Sequence, residues 1–200
     1  MISPSCRRRG LRARADFRIW DMQRILVMGS SGSGKSTFAR RLSEITGIPM
    51  VSLDALYWKS GWVPSDAAEF GQRVTEAAGQ SRWIFDGNYI SHGAGELRRR
   101  VADAVIWCDL PRRTCLVGIL TRIAGSYGRV RPEMAEGCPE RIDTEFFKYV
   151  WTYRQRQRPR LLQYFEGLRS DQSLICFTDR KQADRYLLDI AQTQISASTH

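Results

Sequence analysis

The sequence predicts an α/β protein built on a five-stranded parallel sheet, and three observations carry that prediction. Five short apolar runs end in small or acidic residues, and helix-period segments follow them. None of the runs alternates cleanly between apolar and polar, as expected of strands covered on both faces. At 200 residues, 42% hydrophobic and 26% charged, the chain can bury one substantial core but not two.

The five strands are expected at Arg24 to Met28, Pro49 to Leu53, Arg82 to Asp86, Ala104 to Cys108, and Ser173 to Phe177. Between them, Lys35 to Glu44 puts Phe38, Leu42 and Ile45 on one helical face. Asp66 to Ala78 does the same with Phe70, Val74 and Ala77 behind an Asp66/Glu69 capping box. A helix opens at Pro111, another runs from Asp143 to Gln157 until Pro159 interrupts it, and a last one carries Ala183, Tyr186, Leu187 and Ile190. Residues 125–142, rich in Gly, Pro and charge, are left as a long loop or small lid. Even the longest apolar runs fall far short of the ~20 residues needed to cross a bilayer, so no membrane partner is expected.

Charge and cysteines narrow the setting. The formal net charge of +10 calls for an anionic partner: nucleotide, nucleic acid or membrane surface. Residues 1–21 hold six arginines against two aspartates, so +4 of that excess is local and about +6 belongs to the remainder. We expect this leader to be a disordered basic extension, with Met22 immediately before the first strand. Five scattered cysteines without a Cys-x-x-Cys pair suggest neither a disulfide framework nor a zinc site, and fit a reducing cytoplasm.

The strongest functional signal is Gly29-Ser30-Ser31-Gly32-Ser33-Gly34-Lys35-Ser36, which fits G-x-x-x-x-G-K-[ST] between a predicted strand and a predicted helix. The glycines let successive N–H groups curl inward around phosphates, and the first helical turn adds its positive end. By this reading Gly29, Ser31, Gly32, Ser33, Gly34, Lys35, Ser36 and Thr37 hold ATP, Lys35 reaching the β- and γ-phosphates and Ser36 ligating Mg²⁺. The bland alternative, a glycine-rich turn with no ligand, would need a chance match expected well under about 1% of the time at this length.

Ligands of open α/β sheets gather at the carboxyl ends of the strands, so the acids that end the apolar runs are candidates. Asp86 is placed to hold Mg²⁺, unless it is only a turn-former before Gly87. Asp54 is placed to orient an acceptor hydroxyl or take its proton, unless it caps a short helix. Asp109 reads as the N-cap of the helix at Pro111. Tyr57, Trp58 and Trp62, with Asn88 and Tyr89, are candidate walls of an acceptor pocket, with ordinary aromatic packing as the competing reading. His92 reads as an exposed loop residue. Arg122, Arg129, Arg131, Arg141, Arg154, Arg156, Arg158 and Arg160 bracket the lid, where guanidinium forks could stabilise a transferring phosphoryl group; a solvated basic face is the competing reading.

Taken together, Gly29 to Thr37, Leu53-Asp54, Phe85-Asp86-Gly87-Asn88-Tyr89, Asp109-Leu110-Pro111 and Glu136-Gly137-Cys138-Pro139-Glu140-Arg141 resemble the adenylate-kinase-related P-loop kinases. More narrowly they resemble the bacterial DNA topology modulation proteins. The resemblance spans about Met22 to Ile190 and implies a three-layer P-loop fold with strand order 2-3-1-4-5, an acceptor region after strand 2, and a lid between strands 4 and 5. It matches Asp86 to a Mg²⁺-associated acid and Arg122 to a lid-hinge phosphate ligand. Asn88-Tyr89 stands where adenylate kinases carry a Pro-Arg that grips the acceptor nucleotide, and Asp54 is similar to shikimate-type and gluconate-type kinases.

The expectation is therefore a cytoplasmic, Mg²⁺- and ATP-dependent kinase, monomer or homodimer, that phosphorylates a nucleoside monophosphate or other small acceptor, with Lys35, Asp54, Arg122, Arg131 and Arg141 as catalytic groups. The alternative is a nucleic-acid-associated ATP-binding regulatory protein, less favoured because no helix-turn-helix, zinc finger or aromatic-studded sheet is visible. A motor-type or switch NTPase has little room in 200 residues.

Overall fold

The computed structural model describes residues 19–140, 142 and 144–198. The first half of the chain runs β1 (Arg24–Gly29), α1 (Lys35–Thr46), β2 (Met50–Ser52), α2 (Leu53–Tyr57), β3 (Trp58–Lys59), β4 (Val63–Pro64) and α3 (Ala67–Ala78). It continues through β5 (Trp83–Asp86), α4 (Gly95–Val101), β6 (Ala104–Cys108), α5 (Arg112–Ser126), α6 (Thr144–Arg156), α7 (Arg158–Glu166), β7 (Ser173–Phe177) and α8 (Arg180–Ser198).

β1 takes the middle of a five-stranded parallel sheet ordered β2-β5-β1-β6-β7. With the separate antiparallel hairpin β3–β4 left out of the count, this is the expected 2-3-1-4-5 order. Successive β1 residues point to opposite layers. Ile25 and Val27 pack with Phe38 and Leu42 of α1, Ile119 of α5 and Leu187 of α8. Leu26 and Met28 pack with Phe70 and Val74 of α3 and Leu161 and Phe165 of α7. All four β1 side chains are fully buried, and each such burial contributes ~1.5–3 kcal/mol.

Local chemistry sets the helix ends. Gly47, at φ 67, closes α1 by donating its N–H to the Ser43 carbonyl, a left-handed cap that favours glycine. Asp66 caps α3 through the N–H groups of Ala68 and Glu69. The expected reciprocal half of the capping box is not made, because Glu69 pairs with Lys59 and Arg73 instead. Pro159 does more than interrupt a helix: α6 stops at Arg156, and Pro159 sits in the first turn of α7, where its missing N–H costs no hydrogen bond.

The boundary drawn at residue 21 shifts. Ile19–Asp21 form a 3₁₀ turn, and Ile19 joins Met22 in the core beside α1. Residues 1–18 of the basic leader lie outside the described residues.

Candidate active site

β1 delivers the chain to the carboxyl edge of the sheet, where a glycine-rich turn reverses it into α1. Gly32 and Gly34 sit at φ 76 and φ 92, conformations that a side chain would strain. A Cβ on Gly32 would also collide with the Cys115 carbonyl, so the turn lies directly on α5. Gly34 occupies the N-cap position of α1 and offers no side-chain cap, which leaves the first helical N–H groups open to an anion.

Asp86 ends β5 beside this turn. Its carboxylate is 3% exposed, its Oδ1 lies 3.9 Å from Lys35 Nζ, and Oδ1 accepts no hydrogen bond among the described residues. Burial pushes the carboxyl up, while Lys35 and the Ser36 hydroxyl pull it back down. An under-coordinated buried carboxylate next to a serine hydroxyl is the oxygen chemistry Mg²⁺ takes when it keeps several waters and adds substrate phosphate.

The chain leaves Asp86 through four residues at positive φ: Gly87, Tyr89, Gly93 and Ala94. Buried Arg98 holds this loop, donating from Nε to the Gly93 carbonyl and from Nη2 to the carbonyls of Asn88 and Tyr89. Asn88, expected to contact the acceptor, spends its amide on the glycine-rich turn. Its Oδ1 accepts from Gly29 N–H at 2.9 Å, and its Nδ2 donates to the Gly29 carbonyl at 3.0 Å. Tyr89 donates its hydroxyl to Asp54 Oδ1 at 2.7 Å. Asp54 is not the cap of the short helix. Ser52 caps α2 by accepting from Ala55 N–H, so Asp54 stands in the first turn with its second oxygen uncommitted among the described residues.

Asp109 is likewise not a cap: α5 begins at Arg112 behind Pro111, with no side-chain cap. Arg158 grips the Asp109 carboxylate with Nε and Nη2, 2.8–3.0 Å away, and ties α7 to the end of β6. This removes Arg158 from the candidates for phosphate contact.

The lid segment is docked against the β3–β4 hairpin. Gly61 N–H donates to the Gly137 carbonyl, Trp62 Nε1 to the Pro139 carbonyl at 3.1 Å, and Cys138 Sγ to the Lys59 carbonyl. Short bridges pair Tyr127 with Glu140 and Val130 with Pro139. At its base the buried Glu140 carboxylate is shared by two arginines. Oε1 accepts from Arg122 Nε and Nη2 at 3.1 and 2.8 Å, and Oε2 lies 2.8 Å from Arg131 Nε. Burial and the adjacent Arg131 push the Arg122 guanidinium down, and Glu140 opposes that shift.

Two cavities flank this centre. One, of about 500 Å³, is lined by the hairpin, the loop after β5 and parts of α6 and α7. The other, of about 550 Å³, runs along the glycine-rich turn, α1, α5 and the start of α8. Four residues line both: Lys35, Asp54, Arg122 and Arg131. Trp58, Asn88, Tyr89, His92 and Ser31 line only the first, and Gly32, Ser33, Gly34, Ser36 and Thr37 only the second. His92 is exposed, as expected. Arg141 lies outside the described residues. The sequence reading did not single out Arg98, Glu140 or Arg180, whose Nη2 donates to the Gly32 carbonyl.

No family model matches this chain, and no curated protein matches it, so the resemblance to DNA topology modulation proteins rests on the motif residues alone. Among solved structures it is similar to a shikimate kinase from Acinetobacter baumannii in complex with shikimate, at 15% identity and TM-score 0.48, covering 90% of this chain and 96% of that one. It is also similar to a gluconokinase from Sinorhizobium meliloti 1021, at 17% identity and TM-score 0.47, covering 88% and 97%. A third likeness is to an unliganded sugar kinase from Janibacter sp. HTCC2649, at 20% identity and TM-score 0.46, covering 84% and 95%.

Proposed function

We propose that this protein is an ATP-dependent small-molecule kinase that transfers the γ-phosphoryl group to a hydroxyl of its acceptor. The observation that carries this reading is the meeting of the two cavities at Lys35, Asp54, Arg122 and Arg131. Phosphoryl transfer between two bound substrates needs a shared boundary where charge can develop, and three cations with one carboxylate supply it.

The glycine-rich turn and the open start of α1 would receive the nucleotide phosphates, with Lys35 at the β- and γ-groups. Ser36 and Asp86 would hold Mg²⁺, which supplies neutralisation of phosphate charge when bound. The second oxygen of Asp54 accepts the acceptor O–H. As the acceptor oxygen bonds to phosphorus and the bond to the β-phosphate oxygen breaks, the proton passes to Asp54 and ADP carries away the electron pair. Arg122 and Arg131 face the transferring group while Glu140 holds both by charge, and Arg122 also by two hydrogen bonds. A carboxylate at the boundary favours a hydroxyl over a phosphate acceptor, because it would repel a second anion. On this reading nucleoside monophosphates are the poorer half of the expected acceptor range.

The test is ADP release by the full chain with Mg²⁺ and ATP, across alcohol and phosphate acceptors, beside a Lys35→Ala control. Stimulation by an alcohol that vanishes in the control is the expected result. Turnover that no acceptor raises above hydrolysis in water would overturn the proposal.

A further inference from the structure

The cavity on the hairpin side carries a second kind of information, in what its walls are made of. Six aromatic side chains line it: Tyr57, Trp58, Trp62, Tyr89, Phe146 and Tyr149. They form two groups. On one, Tyr57 meets Trp58 edge to face at 4.9 Å, and Trp58 meets Trp62 at 5.5 Å. On the other, from α6, Phe146 and Tyr149 lie near-parallel at 6.4 Å, with Tyr149 still 38% exposed.

Several of the polar groups in the same cavity are consumed by the protein. Asn88 is spent on Gly29, the Trp62 indole on Pro139, and the Tyr89 hydroxyl on Asp54, while Arg122 and Arg131 share Glu140. A polyol brings a hydroxyl on nearly every carbon, and each one buried without a partner weakens binding. This cavity leaves such a ligand Ser31, Lys35, Ser91, His92, Gln157 and Arg160, but its aromatic walls offer few partners. It offers one free carboxylate oxygen on Asp54, broad ring faces, and two polar ring edges, the Tyr57 phenol and the Trp58 indole N–H, that have no hydrogen-bond partner among the described residues.

We propose that the acceptor is an alcohol carried on a flat heteroaromatic ring system, the class to which nucleosides belong, with its ring against the aromatic walls and its hydroxyl at Asp54. The inference rests on the kinase reading for the role of Asp54, but ring recognition stands on the cavity alone. Ring stacking supplies affinity because every base has a π-face. Free Tyr and Trp edges can read the hydrogen-bonding rim of such a ring. The volume of about 500 Å³ suits a ligand of this size.

The test measures binding and turnover separately, on the full chain. Adenosine, guanosine, cytidine and thymidine, their monophosphates, shikimate and gluconate are titrated calorimetrically with and without a non-hydrolysable Mg-ATP analogue, then assayed for phosphorylation. The expected result is saturable binding of at least one nucleoside, about tenfold or more tighter than either polyol acid. Trp58→Leu should weaken that binding about tenfold, while Asp54→Asn should keep it within about threefold and abolish transfer. Circular dichroism and retained Mg-ATP binding show whether each variant is folded; if Trp58→Leu is not, Tyr149→Leu takes its place. Binding or phosphorylation of shikimate or gluconate in preference to every nucleoside overturns the inference and leaves the kinase reading standing. Preferred phosphorylation of a nucleoside monophosphate overturns the inference and, with it, the hydroxyl acceptor of the kinase reading. Nucleoside binding that Trp58→Leu weakens, without phosphorylation of anything, upholds ring recognition and overturns the kinase reading. Failure of every nucleoside to bind overturns the inference outright.

Discussion

The Tyr89 hydroxyl donates to Asp54 Oδ1 at 2.7 Å, across the boundary between the loop after β5 and the first turn of α2. That bond fixes the carboxylate whose other oxygen would face the acceptor in the proposed reaction. Burial, then the neighbouring Asp54 charge, push the phenol well above its ordinary value of 10.0. The phenol therefore stays protonated, and the bond persists, throughout the neutral range. Tyr89→Phe should lower kcat about tenfold with little change in acceptor KM, as expected when one positioning hydrogen bond is lost and the ring is kept. The ratio of variant to wild-type kcat should be flat from about pH 6 to 9. Because the phenol ionises less readily in the fold than in the unfolded chain, wild type should also lose stability relative to Tyr89→Phe as pH rises past about 10, and not below it.

Glu140 is held from two sides, by Arg122 and by Arg131, and its backbone closes the lid through Gly128 N–H and the Arg129 carbonyl. Glu140→Gln keeps the shape and removes the charge. Two partly buried guanidinium groups then face each other without a shared carboxylate, a loss of about 1–3 kcal/mol by the cost of weakening buried charged hydrogen bonds. Thermal unfolding should show that drop, and amide exchange at Gly128 and Glu140 should speed up. Unchanged exchange there would mean that the carboxylate does not hold the lid's base.

Arg98 is a fully buried cation whose guanidinium hydrogen bonds go to three backbone carbonyls. Burial pushes it down to about 10, still far enough above neutrality for it to remain charged. Arg98→Met fills similar space but leaves the carbonyls of Asn88, Tyr89 and Gly93 unsatisfied. We expect a stability loss of about 2–4 kcal/mol, read by urea unfolding. The same variant should free the Asn88 clamp on Gly29, so Mg-ATP affinity should fall along with stability.

The sheet was legible because five apolar runs without alternation leave a doubly covered parallel sheet as the simplest arrangement. The glycine-rich turn was legible because its residues act locally, through backbone conformations that only their own sequence decides. The hairpin Trp58–Pro64 was not foreseen: its strands are two residues long, too short for any periodicity, and Pro64 counts against a strand. Asp109 was misread as a cap, and a cap stood open as the alternative for Asp54, for a related reason. A carboxylate after a strand looks the same in sequence whether its partner is the next N–H or, for Asp109, an arginine 49 residues away. Arg98 and Glu140 were invisible as site residues because what distinguishes them is burial, and Arg and Glu sit on the surface by default.

Gly118 lies in the middle of α5, where glycine costs about 1 kcal/mol relative to alanine in an exposed helix. Its neighbours explain its presence. A Cβ there would strike the Gly32 carbonyl of the glycine-rich turn and the Arg180 guanidinium that donates to that same carbonyl. The contact is backbone against backbone, so neither side can rotate away. Gly118→Ala should therefore reverse the usual helix preference and destabilise the protein by about 1–3 kcal/mol, the range for overpacking a filled site. It should also push α5 outward, and Arg122, one helical turn along, with it. We expect Mg-ATP affinity and kcat to fall together, since the turn and the arginine move as one. Gly125→Ala, near the end of the same helix and with open space around its Cβ, is the control and should leave stability unchanged or slightly raised. A Gly118→Ala variant as stable as that control would show that α5 does not bear on the turn.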